Sequence, residues 1–77
     1  MVRIPTSQDD HIYAFYRQKN DDRVVVVLNL TGQPVTVSWD YPTVSGIYTE
    51  LFSGESVTLT GSESFEFEPW EYSVFVL

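Results

Sequence analysis

Residues 12–30 read IYAFYRQKNDDRVVVVLNL and predict a β-hairpin. The first arm alternates its side chains along two faces, which is typical of a β-strand. Polar residues 19–22 supply the turn. The second arm contains residues 24–28, an apolar run of mostly β-branched side chains that does not alternate. Such a run indicates a strand in the middle of a sheet, covered on both faces.

The rest of the chain repeats the period of two that defines extended strands. Apolar and polar residues alternate in residues 35–40, 56–60, 65–68 and 72–77, and turn-forming residues separate these segments. An apolar stripe at helical spacing is absent from the sequence. We therefore predict an all-β antiparallel sandwich or barrel of seven short strands, with residues 2–4 as a possible eighth.

The composition limits how the chain is stabilised and which partners it suits. Seventy-seven residues make one domain, and the chain has no cysteine and one histidine. Disulfides and a zinc site built from His and Cys are therefore excluded, so stability must come from apolar burial. The net charge of −7 argues against nucleic acid and against anionic membrane surfaces as partners.

The sequence does not assign a compartment. Residues 1–5 lack the apolar core and cleavage site of a signal peptide, and the longest apolar run is far too short to span a membrane. A C-terminal fragment of a secreted protein would have the same appearance. Secreted, periplasmic and cytoplasmic locations all stay open.

Three segments together resemble a known family. They are AFYR at residues 14–17, followed after a polar turn by VVVLNLT at residues 25–31; YTELFSGE at residues 48–55; and FEPWEYSVF at residues 67–75. In this order and spacing they resemble the C-terminal β-domain, or domain C, of α-amylase-superfamily glycoside hydrolases. The resemblance runs over about residues 12–76.

The resemblance implies an eight-stranded antiparallel sandwich with Greek-key connections. It also implies that residues 1–77 form one accessory domain of a parent enzyme that cleaves or transfers α-glucosidic bonds. The catalytic carboxylates of that family lie on a (β/α)₈ barrel, and none of the barrel motifs occurs in this chain. We therefore expect no catalytic residue and no cofactor here, and we expect the barrel of the parent chain as the partner.

A pair of carboxylates is the first catalytic site to consider, because glycoside hydrolysis needs two. Glu66 and Glu68 share one strand face about 7 Å apart, and Glu71 is near them in sequence. They alternate with Phe65 and Phe67, whose rings we expect in the core. This alternation places the glutamates in water, where they act as an ordinary solvated face.

Other polar patterns also have structural interpretations. His11 beside two aspartates is expected to be an ordinary surface histidine. The aspartate pairs at residues 9–10 and 21–22 lack the spacing of an EF-hand calcium loop. The triplet NLT at residues 29–31 matches the N-glycosylation sequon, a pattern that arises often by chance.

Four aromatic residues are candidate contacts for carbohydrate or for the barrel, because sugar rings stack on tryptophan and tyrosine. Trp39 lies near the end of a predicted strand, and Trp70 follows a proline at the turn into the last strand. Tyr41 lies in a loop, and Tyr48 is the first residue of the segment YTELFSGE. The alternative for each ring is packing in the core, which in a small domain takes most of the large side chains.

These observations leave three functions to compare. The first is a non-catalytic domain that packs against the barrel and stabilises it. The second is a carbohydrate-binding module that holds α-glucan on exposed rings. The third is a stand-alone β-sandwich adaptor unrelated to sugars. Two exposed rings side by side would favour carbohydrate binding, whereas an apolar patch with a polar rim would favour docking.

Overall fold

The computed structural model describes residues 2–77, and these form eight β-strands and one short 3₁₀ turn. The strands are β1 (Val2–Arg3), β2 (Ile12–Lys19), β3 (Asp22–Asn29), β4 (Val35–Asp40), β5 (Gly46–Glu50), β6 (Ser56–Leu59), β7 (Ser62–Phe67) and β8 (Tyr72–Val76), and the 3₁₀ turn is Pro42–Val44. The predicted all-β fold is confirmed, and residues 2 and 3 form the possible eighth strand.

The strands form two antiparallel sheets packed as a sandwich. One sheet has six strands in the order β1-β2-β3-β8-β5-β6, and the other pairs β4 with β7. The chain passes from one sheet to the other after β3, β4, β6 and β7. These crossings insert β8 between β3 and β5, so that strands distant in sequence pair, as in the predicted Greek-key arrangement.

The predicted hairpin of β2 and β3 is present in full. Its register pairs Ile12 with Asn29 at one end and Lys19 with Asp22 at the other. Only two residues remain in the loop, and Asn20 adopts the left-handed conformation there, with φ 57°. Tight hairpin loops require such positive φ angles, and asparagine tolerates them better than most residues.

The core lies between the two sheets. Most of its side chains come from every second residue of the long strands, as the alternation predicts. Two fully buried side chains, Ile4 and Val44, come from irregular segments that the alternation does not identify. The buried apolar residues are Ile4, Ile12, Ala14, Val25, Val27, Val37, Trp39, Val44, Tyr48, Leu59, Phe67 and Phe75.

Strand β3 lies in the middle of its sheet as predicted, but residues 2–77 cover only one of its faces. Val25 and Val27 are fully buried beneath the second sheet. Val24, Val26 and Leu28 on the opposite face are only half-buried. The prediction that both faces are covered is therefore wrong for this part of the chain, because its two-stranded second sheet can cover only one side.

Candidate docking surface

The face of the six-stranded sheet that points away from the core is apolar where β2, β3 and β8 lie side by side. Cross-strand pairing arranges its side chains in three rows, which are Tyr13, Leu28 and Tyr72; Phe15, Val26 and Val74; and Val24 with Val76. Tyr72 is exposed and the others are half-buried. These eight residues, together with Leu51 and Phe52 of the adjoining turn, are called the outer face below.

The turn after β5 extends the apolar rows. The side chains of Leu51 and Phe52 are 58% and 60% exposed. The backbone N–H of Leu51 donates to the carbonyl of Val74 at 2.8 Å, which places Leu51 next to the second row. The ring of Phe52 lies 5.1 Å from that of Tyr72 and perpendicular to it. The apolar surface therefore continues from β8 onto the β5 side of the sheet.

Glu50 holds this turn in place. Its Oε1 accepts hydrogen bonds from the backbone N–H groups of Phe52 at 3.1 Å and Ser53 at 3.0 Å, and its Oε2 accepts one from Val74 at 3.4 Å. Burial raises the pKa of Glu50, but the backbone N–H groups around the carboxylate together lower it by more. The net pKa is below its ordinary value, so at neutral pH an ionised carboxylate holds the backbone of the turn that carries Leu51 and Phe52.

Basic residues border the outer face on its β1–β2 side. Arg3 pairs across strands with Phe15, and its guanidinium lies 5.3 Å from the centre of the Tyr13 ring. Arg17 and Lys19 follow Phe15 at alternate positions of β2 and so point to the same side of the sheet. Three of the four basic residues of an acidic chain therefore lie along one border of the apolar rows.

The second sheet has a different outer surface. Its outward positions are Thr36, Ser38 and Asp40 on β4 and Ser62, Ser64 and Glu66 on β7, all exposed and all polar. Polar outward residues of this kind are typical of a sheet that faces water on one side. The apolar character of the outer face is therefore a property of one side of the sandwich only.

Two of the four predicted aromatic contacts lie in the core. Trp39 is 4% exposed and packs its ring 5.3 Å from that of Phe65, and Tyr48 is 1% exposed. A bound sugar or a docked domain cannot reach either ring. Both follow the alternation of their strands, which points Trp39 to the same side as Val37. The position of Trp39 near the strand end does not expose it, since the strand continues to Asp40.

Tyr41 is half-buried against the core. Its ring centre lies 6.0 Å from that of Tyr16, and a hydrogen bond with Tyr16, assisted by partial burial, raises the pKa of Tyr41. Its backbone N–H donates to the carbonyl of Gly61. These contacts anchor the loop that leads into the 3₁₀ turn, and they leave only part of the Tyr41 ring accessible.

Trp70 is the most accessible of the four predicted aromatic contacts, at 63% exposed. It occupies the third position of a turn closed by a hydrogen bond from the Glu71 N–H to the Glu68 carbonyl, with Pro69 at the second position. Its φ of 61° is the left-handed value that this type of turn requires and that normally selects glycine. A large aromatic ring is thus held on the surface by an unfavourable backbone conformation.

The structure brings none of the four predicted aromatic residues together as a flat platform. The two exposed rings that do touch are Phe52 and Tyr72, and their perpendicular planes cannot stack on one sugar face. Sequence reasoning did not single out the outer face itself. A signal for it was present in the continuous run at residues 24–28 and in Tyr13 and Phe15, large apolar residues opposite the core-facing positions of β2.

The predicted polar face of β7 is confirmed. Glu66 and Glu68 are exposed, while Phe67 is buried and Phe65 packs against the core. His11 is also exposed. Across residues 2–77, no three His, Cys, Asp or Glu side chains gather closely enough to hold a metal ion, and no helix is long and apolar enough to cross a membrane.

Two solved structures share this fold. One is the crystal structure of AmyP in complex with maltose, with 18% sequence identity and a TM-score of 0.70 over 87% of this chain. The other is a putative alpha-galactosidase/melibiase from Bacteroides fragilis NCTC 9343, with 22% identity and a TM-score of 0.67 over 87% of this chain. The matched region spans 14% and 16% of the lengths of those two chains.

A search of curated proteins finds no match. Among protein families, residues 3–74 match the one described as Maltogenic Amylase, C-terminal domain. The match covers nearly the whole chain, including strands of both sheets and every residue of the outer face except Val76. The chain therefore belongs to the family of maltogenic amylase C-terminal domains, which are accessory domains of amylases.

Proposed function

We propose that this domain has no catalytic role of its own and docks through its outer face onto the (β/α)₈ catalytic barrel of a longer glycoside hydrolase, which it stabilises. The observation that supports this proposal most directly is the set of three apolar rows on the side of the sheet that residues 2–77 leave uncovered. The enzyme that carries the domain would act on α-linked glucosidic bonds, in keeping with the family match.

Covering the outer face would release substantial free energy. Large contiguous apolar patches mark surfaces that contact another protein, and the outer face is contiguous across three paired strands. Covering the part of a valine or leucine side chain that is still exposed contributes up to about 1 kcal/mol, and the outer face has several such residues. Its basic border and polar surroundings have the composition of an interface rim.

The remainder of the same polypeptide is the occupant that best suits this surface. The two structural relatives carry the matched region as 14% and 16% of their chains, so each consists mostly of other parts. A neighbouring domain on the same chain is present at a high effective concentration, so a surface of moderate area is enough for stable docking. This argument favours the parent barrel over a separate protein.

Replacing Val26 and Val74 together with threonine tests the docking. The two valines are neighbours in the second row, and threonine keeps their shape and their preference for strands. If the outer face is covered, the two hydroxyls are buried without partners, and the docked state loses about 2 kcal/mol. We expect a lower thermal midpoint for the full polypeptide, with kcat well below that midpoint unchanged.

The same two substitutions in the 77-residue chain alone provide the control. There the outer face is open to solvent, so water can hydrate the two half-buried hydroxyls, and the free energy of unfolding should change by less than about 0.5 kcal/mol. A full polypeptide that keeps its midpoint would contradict the docking proposal. So would a loss of activity without any loss of stability, since that pattern indicates a role in the reaction.

A second candidate function, binding of α-glucan, is favoured by the conformation of Trp70. Residues in unfavourable backbone conformations persist at ligand-binding sites, where the surrounding structure enforces them. Here the Trp70 N–H donates to the Thr31 carbonyl at 3.0 Å, and the indole lies over Gly32, with its Nε1 3.6 Å from the position a Cβ would take there. An exposed indole held this way presents one ring face for stacking against a sugar.

Titration of the chain with maltoheptaose, followed by tryptophan fluorescence, tests this second function. A single stacked ring predicts weak binding, with a Kd on the order of 1 mM. The Trp70→Gly variant should fold, because glycine suits the positive φ, and it should lose the response. The buried Trp39 remains as an internal reference in that variant. If the fluorescence of the unaltered chain does not change up to several millimolar maltoheptaose, glucan binding is ruled out and docking stays as the one proposed function.

A further inference from the structure

A recess of about 300 Å³ lies near the turn of the β2–β3 hairpin, at one corner of the outer face. Its walls come from Arg17, Gln18, Lys19, Asp22 and Val24. Arg17 and Lys19 are two residues apart on one strand, so their side chains leave the sheet on the same side about 7 Å from each other. The recess therefore brings two cationic groups to one small concave surface.

Arg17 and Lys19 are the unpaired cations of this domain. Within residues 2–77, neither side chain makes a hydrogen bond or an ion pair. The other two basic residues are engaged internally, since Arg3 donates to the Asp9 carbonyl and Arg23 donates to the carbonyl of Thr43 at 2.7 Å. In a chain with eleven acidic and four basic residues, these two adjacent cations are therefore the ones available to an acidic group outside residues 1–77.

The recess is continuous with the apolar rows. Arg17 pairs across strands with Val24, and Val24 pairs with Val76 in the third row. Asp22 is the acidic residue that lines the recess, and it stands opposite Lys19 in the register. One carboxylate beside two cations leaves a net charge of +1. A domain that covers the outer face would also cover this corner and remove water from the cations.

Removing a cation from water is costly unless an opposite charge replaces the lost hydration. We propose that the recess receives an aspartate or glutamate side chain from the catalytic domain of the same polypeptide, held between Arg17 and Lys19. This inference rests on the docking in the proposed function and adds the chemistry of the partner surface. The Arg17 guanidinium suits bidentate binding of a carboxylate, and Lys19 adds a point charge.

The contact fixes the orientation of docking more than its strength. Apolar rows bind without strong directional preference, so a flat apolar face alone permits sliding between the two domains. A buried or half-buried charge pair at one corner penalises every register that leaves the cations without their carboxylate. The recess thus selects one alignment of the domain on its partner.

Carbodiimide coupling of the full polypeptide tests the proposal. This reagent joins an amine and a carboxylate that are in direct contact, and Lys19 is the only lysine among residues 1–77. We expect an amide between Lys19 and one acidic residue outside residues 1–77, identified by peptide mass spectrometry. Coupling of Lys19 only to Asp22, or no coupling of Lys19 at all, would overturn the proposal.

Two variants make the test specific. Arg17→Glu places a repelling carboxylate in the recess and should lower the yield of the Lys19 amide several-fold. Ser64→Glu adds one negative charge to the polar side of the second sheet and should leave that yield unchanged. Equal yields in the two variants would mean that Arg17 does not hold the carboxylate, which would also overturn the proposal.

The valine-to-threonine variant separates this failure from failure of the docking itself. If Val26→Thr with Val74→Thr lowers the midpoint of the full polypeptide while Lys19 does not couple outside the domain, docking stands and the recess is not its charge contact. If the valine substitutions have no effect and Lys19 does not couple, both proposals are wrong.

Discussion

Replacing Asn29 with aspartate should lower the free energy of unfolding of this domain by about 3–5 kcal/mol. Asn29 is 2% exposed at the end of β3, and its amide makes four hydrogen bonds. Nδ2 donates to the carbonyls of Gln33 and Glu68, both at 2.9 Å. Oδ1 accepts from the backbone N–H and the hydroxyl of Thr31. One side chain thus joins the loop after β3 to the turn before β8.

The expected loss has two physical causes. A carboxylate cannot donate, so the carbonyls of Gln33 and Glu68 would lose their partner and face a negative oxygen at close range. Each buried group left without a hydrogen bond costs about 1–3 kcal/mol, and the uncompensated charge adds to this. Burial beside two carbonyls raises the pKa of the introduced carboxyl above its unfolded value. The difference from the unaltered chain should therefore be largest at neutral pH and shrink as the pH falls and the group takes up a proton.

Asn20→Asp is the matched control, because it makes the same chemical change at an exposed position. Asn20 lies in the two-residue loop of the β2–β3 hairpin, where aspartate also tolerates a positive φ. The free energy of unfolding, measured with urea at pH 7, should therefore change by less than about 0.5 kcal/mol in this variant. Similar losses for the two variants would show that Asn29 is not the internal connection described here.

The role of Asn29 illustrates what the sequence could and could not predict. Residues 12–30 identified both strands of the hairpin, because their pattern reflects local preference and burial. From sequence alone, Asn29 was recognisable only as the first residue of a glycosylation sequon. Its burial depends on contacts with Gln33 and with Glu68, and Glu68 is 39 residues away. The fully buried Ile4 and Val44 were missed for a related reason, since they reach the core from segments without periodicity.

The docking surface was predictable only in part. Alternation placed Phe67 inward and Glu66 outward, because one side of that strand is apolar and the other polar. In β2 and β3 both sides are apolar, and the pattern alone does not say which side the domain covers by itself. The answer came from the strand order, which gives the second sheet only β4 and β7. The exposure of Trp70 likewise depends on a turn conformation that a tryptophan rarely adopts.

Gly61→Ala is expected to destabilise the domain by about 3–5 kcal/mol, chiefly through a backbone clash. Gly61 lies in the short connection between β6 and β7, with φ 92°. A Cβ at this position would lie 2.5 Å from the Cα of Pro42 and 3.3 Å from the carbonyl oxygen of Tyr41. Neither is the end of a flexible side chain, so the two backbone segments would have to separate. That movement breaks the hydrogen bond from the Tyr41 N–H to the Gly61 carbonyl.

Gly54→Ala distinguishes the clash from the conformational strain. Gly54 also has a positive φ, 73°, but no atom lies within 4 Å of its hypothetical Cβ. Its substitution should therefore cost only the left-handed backbone penalty, about 1–2 kcal/mol. Urea unfolding of the two variants under identical conditions compares their losses in the free energy of unfolding. Equal losses would contradict the close approach of Gly61 to Pro42.

The position of Gly61 explains why this loss would affect the whole sandwich. The connection at Gly61 carries the chain from the six-stranded sheet, through β6, to the second sheet, through β7. Its backbone packs closely against Pro42 at the start of the 3₁₀ turn, and this turn places the fully buried Val44 between the sheets. Separating these backbones would loosen the sheet that covers Val25 and Val27. The six-stranded sheet, with the outer face on its other side, would then lose the support that keeps its rows aligned for docking.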